Sequence, residues 1–212
     1  MHRRLLIDFD GTLVDSSRRQ FNLFVELSGI NSISFSEYWK AKRSGIKQSE
    51  LLKNYSLDGS HKHRDFMEKW LKKIEEPKRL REDSLIEGAK AFLLEANKYF
   101  QVICITNRQF RNRLLDQMKY LGIEKNFSKI LNTSGKTSKH CLVKSNLTIN
   151  INDIFIGDSD EDIRAGKELG LFTIGVTSGG STRFRLKGYK PNIIIDSVCK
   201  KVIYQLVQND LF

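Results

Sequence analysis

Proline is nearly absent. Two residues in 212 leave no proline-rich segment that could divide the chain by a stiff linker. Cysteine is scarce as well: Cys104, Cys141 and Cys199 are an odd, widely spaced set, which fits neither a disulfide framework nor a zinc pattern. No apolar stretch reaches the roughly 18 residues of a membrane-spanning helix. After Met1-His2-Arg3-Arg4 the apolar run is cut by Asp8 and Asp10, so no signal-peptide core is expected and the protein is expected to be cytoplasmic. There is no internal repeat, no low-complexity tract and no run of five like charges. What is present is 40% hydrophobic residues, enough for a buried core. The net charge of +11 favours anionic partners. The excess is spread along the chain without a basic tail, so the charge leaves nucleic acid, anionic lipid and phosphorylated metabolites open as partners and equally suits a plain solvated surface. A monomer or weak homodimer is the expected state.

Short apolar, β-branched runs recur at Leu5–Phe9, Val102–Thr106, Ile130–Leu131, Ile154–Gly157, Phe172–Val176 and Ile193–Asp196. Runs apolar on both faces suit a parallel sheet covered on both sides. Helical spacing separates them: Ile86, Ala89, Phe92, Leu93 and Ala96; Phe110, Leu114, Leu115, Met118 and Leu121; and Val202, Ile203, Leu206 and Val207. The alternation predicts an α/β fold with a doubly wound, Rossmann-like parallel sheet. Residues 16–83 break it. Phe21, Phe24, Val25 and Ser28 make one stripe ending near Gly29, and Phe66, Trp70 and Ile74 another ending before Pro77. No strand is evident there, so a small helical domain of roughly three to four helices is expected over 16–83, inserted after the first strand. Residues 1–15 and 84–212 form the core domain.

The polar residues that matter stand where the apolar runs stop. Asp8 and Asp10 follow the first run, with Gly11 able to turn the chain sharply. Thr106, Asn107 and Arg108 follow the second; Lys136 and Lys139 precede a helical stretch; Asp158, Asp160 and Asp162 follow Gly157. In open α/β sheets the carboxyl ends of the strands line the ligand crevice. Carboxylates, a hydroxyl and an ammonium gathered there suit a magnesium-assisted phosphate site.

The stretch Asp8-Phe9-Asp10-Gly11-Thr12-Leu13-Val14-Asp15-Ser16 resembles the first motif of haloacid-dehalogenase-type phosphohydrolases. Thr106 matches the second motif, a lysine within Gly135–Lys139 the third, and Gly157-Asp158-Ser159 with Asp162-Ile163 the fourth. The nearest subgroup is phosphoglycolate-phosphatase-like, and the helical insert takes the place of its C1 cap. The resemblance implies a Mg²⁺-dependent phosphatase with an aspartyl-phosphate intermediate, acting on a small phosphorylated substrate, with no membrane partner and with nucleic acid not expected. Asp8 would be the nucleophile and Asp10 the acid and base. Gly11, Thr106, Asn107 and Arg108 would lie against the substrate's phosphoryl group, and the lysine would neutralise Asp8 and the phosphate. Asp8, the Asp10 carbonyl and Asp158 would hold the metal, with Asp162 supporting it or the lysine. The third motif leaves two candidates: Lys139 follows a serine at a helix start, whereas Lys136 precedes Thr137.

Asp10 argues against halide chemistry, since the dehalogenases of this family lack an acid there. A phosphomutase of the β-phosphoglucomutase kind would share all four motifs, and a non-catalytic domain binding a phosphorylated ligand or nucleic acid has only the basic charge in its favour. Gly135-Lys136-Thr137 mimics a nucleotide-binding loop, but Ile130 stands where that loop needs glycine. The acids at 158, 160 and 162 mimic a calcium loop, but Ile163 and Leu169 occupy its glycine and glutamate positions. Trp39 and Trp70 are expected in the core of the insert, His61 and His63 on its surface, and 178–181 in a flexible loop near the site.

Overall fold

A computed structural model describes residues 3–55 and 61–208, without the side chains of 61–64. Its strands are β1 (Arg4–Ile7), β2 (Val14–Asp15), β3 (Ser84–Leu85), β4 (Gln101–Thr106), β5 (Lys129–Asn132), β6 (Ile154–Gly157), β7 (Phe172–Val176) and β8 (Ile193–Ile195). Six of them form one parallel sheet in the order β5-β4-β1-β6-β7-β8. The doubly wound α/β expectation thus holds. Side chains alternate faces along a strand. Leu5, Ile7, Val102, Cys104, Ile154 and Ile156 accordingly enter one buried cluster, and Leu6, Ile103, Ile105 and Phe155 another. Both faces are covered, which is why these runs read as continuously apolar.

Register decides where the polar residues emerge. Ile7 pairs with Cys104 on one side and with Ile156 on the other. The three central strands therefore end nearly level, and Asp8, Thr106 and Asp158 leave the sheet at one edge. The winding also reverses here: the chain runs from β1 outward to β4 and β5, then crosses to β6, β7 and β8. A crevice at this switch point is the usual ligand position in such sheets.

Between β2 and β3 lie α1 (Ser17–Ser28), α2 (Phe35–Arg43), α3 (Gln48–Tyr55), α4 (His61–Lys73) and the single turn α5 (Pro77–Leu80). That is five helices among the described residues rather than three to four, because Pro77 opens a helix at its first position instead of following one. Gly29, at φ 70, ends α1, and Ser34 with Glu37 forms a capping box that starts α2. Leu23, Phe24, Tyr38, Leu51, Phe66 and Trp70 bury one another in a cluster of their own. Trp39 is only half-buried, stacked on Phe35 at 6.4 Å. The side chains of His61 and His63 lie outside the described residues.

The sequence reading missed β2 and β3. They pair antiparallel, Val14 with Leu85 and Asp15 with Ser84, where the chain leaves and rejoins the sheet. Two residues cannot display a period of two, so no pattern announced them. The remaining helices are α6 (Ala89–Ala96), α7 (Arg111–Tyr120), α8 (Lys139–Asn146), α9 (Asp160–Glu168), α10 (Arg183–Gly188) and α11 (Lys200–Gln208). Phe110 precedes α7 as its N-cap and is exposed, off the buried stripe it was assigned to. No described helix is long and apolar enough to cross a membrane.

At the opposite edge of the sheet Arg4 Nε donates to both oxygens of Asp153, at 3.1 and 3.0 Å, and the Asp153 side chain is almost wholly buried. Arg4→Met would leave that carboxylate without its cation. It is expected to cost about 3 kcal/mol in urea unfolding while leaving the chemistry at the other edge unchanged. An unaltered unfolding midpoint would show that the pair contributes nothing.

Candidate active site

Asp8 follows β1 directly. Its backbone N–H donates to Ile156 O at 2.9 Å, which extends the sheet pairing by one residue and fixes the carboxylate at the edge. Its Oδ1 accepts from Lys139 Nζ at 2.5 Å, and Lys139 Nζ also reaches Asp162 Oδ1 at 2.6 Å. Lys139 is the first residue of α8, and the Ser138 hydroxyl caps that helix by accepting from the Cys141 N–H. The cap fixes the helix start and so directs the lysine inward. Lys136 is exposed in the preceding turn. Of the two candidate lysines, the structure brings Lys139 to Asp8.

Asp158 leaves β6 and accepts from the Gly180 N–H at 2.5 Å. Asp162 belongs to the capping box of α9: its Oδ2 accepts from the Ser159 N–H and hydroxyl, which leaves Oδ1 for Lys139. The Thr12 hydroxyl lies 3.4 Å from both Asp8 Oδ2 and Asp158 Oδ1. Gly11, at φ +84, turns the chain beneath them, and a Cβ there would come within 2.5 Å of the Asp158 carboxylate.

Asp8, Asp158 and Asp162 are buried, and each offers a carboxylate oxygen within 4.8 Å of the others. Burial pushes the Asp8 carboxyl well above the usual range; Asp162 and Asp158 add to this and Lys139 opposes it. Burial and Asp162 push Asp158 up to about 7. Burial alone would lower the Lys139 ammonium, but Asp162 and Asp8 outweigh it and hold it above its ordinary value. One ammonium does not balance three carboxylates. An all-oxygen donor set with excess negative charge fits a hard divalent cation such as Mg²⁺.

The other predicted site residues divide. Thr106 is buried at the end of β4, on the same edge. The Asn107 side chain is exposed and donates to Glu161 at 2.7 Å. Arg108, expected against the phosphoryl group, is buried with two of its guanidinium nitrogens on Asp10, Nε to Oδ2 at 2.6 Å and Nη2 to Oδ1 at 2.8 Å, while Nη1 has no partner among the described residues. Arg19 also donates to Asp10 Oδ1, at 2.9 Å. Burial would raise the Asp10 carboxyl, but Arg108 and Arg19 outweigh it and hold it below the usual carboxylate range. The Asp10 carboxylate therefore stands apart from the other three acids. Sequence reasoning missed Arg19, since nothing periodic links it to residues 10 or 83.

A cavity of about 70 Å³ opens above these groups, with Asp10, Gly11 and Asp158 below and Gln20, Trp39 and Lys42 from α1 and α2 beside it. Trp39, expected in the core, thus forms part of its wall. Burial, with Arg185 nearby, lowers the Lys42 ammonium to about 8. A larger hollow of about 670 Å³, bordered by Arg4, Tyr99 and Asn146, lies at the far edge of the sheet and lacks the carboxylate cluster.

The 178–181 segment closes the site. The Ser178 hydroxyl donates to Gly11 O at 2.8 Å, and a Cβ on Gly179 would stand 2.6 Å from Gly11 Cα and closer still to the Asp158 carboxylate. Gly179→Ala is expected to cost roughly 1–3 kcal/mol by overpacking and to displace Asp158. An unchanged melting temperature would show that the loop yields freely.

The family described as haloacid dehalogenase-like hydrolase matches residues 5–176, from β1 through the end of β7. No curated protein matches the chain. Several solved structures are similar. A haloacid dehalogenase-like family hydrolase from Streptococcus pneumoniae aligns with a TM-score of 0.78 at 19% identity, over 96% of this chain and 98% of that one. A predicted phosphatase from Clostridium acetobutylicum aligns at 0.76 and 23%, over 98% and 99%. A predicted phosphoglycolate phosphatase from Haemophilus somnus aligns at 0.74 and 18%, over 96% and 98%. At these identities the likeness is one of fold.

Proposed function

The chain belongs to the haloacid dehalogenase-like hydrolase family, and from that premise we propose that it is a Mg²⁺-dependent phosphatase acting on a small phosphorylated metabolite. The observation that carries the reading is Lys139 Nζ lying between Asp8 and Asp162 while Asp158 shares their cluster. This pairs a fixed carboxylate nucleophile with a fixed cation at the switch point of the sheet.

In the first half-reaction an Asp8 oxygen bonds to phosphorus. The bond from phosphorus to the leaving oxygen breaks, and Asp10 gives that oxygen a proton. In the second, water bonds to phosphorus, the bond to Asp8 breaks with its electron pair returning to the carboxylate, and Asp10 takes the water's proton. Lys139 offsets the repulsion between Asp8 and the phosphate, and Thr106, at the end of β4, would hydrogen-bond a phosphoryl oxygen. Asp8 and Asp158 would hold Mg²⁺ with Asp162 beside them; when bound, the ion would supply further charge neutralisation. The first half-reaction needs Asp10 protonated, and the second regenerates that form with the water's proton; the clamp by Arg108 and Arg19 lowers the carboxyl and so favours the ionised form that the second half-reaction requires.

Residues 16–83 serve as a C1-type cap on a core of 1–15 and 84–212, as in phosphoglycolate-phosphatase-like members. The separate apolar cluster of α1 to α4 supports this division. The cavity of about 70 Å³, walled by Trp39 and Lys42, supports a small leaving group. The test is phosphate release from p-nitrophenyl phosphate and a panel of phosphorylated metabolites, with Mg²⁺ and with EDTA. Magnesium-dependent release is expected. Isomer formation without net phosphate release would mean a phosphomutase, and no turnover on any compound would refute the reading.

A further inference from the structure

Asp10 belongs to a closed ring of five side chains. Arg19 Nη2 donates to Asp10, and Arg19 Nε donates to both oxygens of Asp83, at 2.9 and 3.0 Å. Gln117 Nε2 donates to Asp83 Oδ2 at 2.7 Å, and Gln117 Oε1 accepts from Arg108 Nη2 at 2.9 Å. Arg108 returns to Asp10 through two bonds. The ring joins α1, the segment before β3, α7 and the end of β4. Arg19 Nη1 adds a bond to Ile74 O at 2.7 Å, between α4 and α5, so this one side chain at the start of α1 holds both the helical segment and, through Asp83, its return to β3.

The ring has one open member. The side chains of Arg19, Arg108 and Asp83 are 3%, 4% and 0% exposed and that of Asp10 is 27% exposed. Burying two guanidiniums and a carboxylate is a weak source of stability compared with apolar packing, and Arg108 Nη1 is left without a partner among the described residues; the closed ring of hydrogen bonds instead specifies position. What it positions is Asp10. A carboxylate offers about four acceptor sites, and the two arginines occupy three of them. The plane of the group is fixed, with one site on Oδ2 left for the cleft.

We propose that Arg19 is a positioning residue that, with Arg108, holds the Asp10 carboxylate in the one orientation that accepts a proton from the water attacking the Asp8 phosphoester. The proposal rests on the roles given to Asp8 and Asp10 above. In that step water oxygen bonds to phosphorus, the bond to Asp8 breaks, and the water's proton goes to the free site of Asp10. Arg19 touches neither substrate nor water; it acts through Asp10 and ties its orientation to the seating of the helical segment.

The test uses the full chain, Mg²⁺ and p-nitrophenyl phosphate under rapid mixing. Nitrophenolate departs without needing a proton, so its release reports the first half-reaction alone. Arg19→Gln is expected to give a burst of about one nitrophenolate per active site. A steady rate at least tenfold below wild type should follow, with phosphate accumulating on the protein. Arg19→Lys guards against misfolding: its ammonium can stay with Asp83 but cannot span to Asp10 as well, and the same burst is expected at an unchanged melting temperature. Equal loss of burst and steady rate in both variants, or wild-type kinetics in Arg19→Lys, would overturn the proposal. If wild type releases no nitrophenolate, or Asp8→Asn releases it as fast, the phosphatase reading itself fails and the proposal falls with it.

Discussion

Asp8→Asn is expected to reduce phosphate release by roughly 10⁴-fold or more while the protein melts at the same temperature as wild type or slightly above it in EDTA. Both halves follow from one geometry. The amide keeps the shape of the carboxylate, and the backbone anchor to Ile156 is untouched, so packing is preserved. An amide is a poor nucleophile, and the covalent route is closed. The sign of the stability effect comes from the shifted carboxyl. Burial and the neighbouring acids raise it in the folded state. Its charged form therefore costs stability once pH exceeds the unfolded value, and a neutral side chain removes that cost. A variant that retained near-normal hydrolysis would remove Asp8 as the nucleophile. A melting temperature lowered by many degrees would mean that the ion pair with Lys139 outweighs the repulsion.

The sheet was legible because its strands are apolar on both faces, a pattern helices and half-exposed strands do not share. The acids at strand ends were legible for a related reason. Asp8 and Asp158 interrupt such runs at the point where the chain must leave the sheet, and a charged residue there has few structural excuses. Three things were not legible. The β2–β3 pair is too short to carry a period. The choice between Lys139 and Lys136 depends on which of them begins α8, a matter of one helix boundary, and boundaries are the weakest part of any pattern reading. The ring around Asp10 joins residues 9, 34, 64 and 98 positions apart. Its members are ordinary surface types whose burial only the fold reveals. Arg108 shows the consequence. Next to the second motif it reads as a phosphate ligand, and nothing in the sequence announces that its Nε and Nη2 bond Asp10.

Lys139→Met should show the opposite stability effect to Asp8→Asn, with a smaller but still large loss of function. Removing the ammonium leaves Asp8, Asp158 and Asp162 buried within 4.8 Å of one another without their cation. Breaking a buried pair in this way typically costs about 3–5 kcal/mol. The loss of a preorganised cation facing the transferring phosphoryl group is expected to lower turnover by roughly 10²–10³-fold. The pH dependence carries the sign. Asp158 already stands at about 7 in the folded protein, and without Lys139 the cluster rises further. Acids raised in the folded state favour folding as pH falls, because protonation relieves their repulsion. The gap in melting temperature between wild type and Lys139→Met, measured in EDTA, should therefore narrow from pH 8 to pH 5. Lys136→Met is the control: its lysine is exposed, and substitution there should stay within about 0.5 kcal/mol. If Lys136→Met proved the more damaging of the two, or if the gap widened on acidification, the charge balance assigned to Lys139 would be wrong.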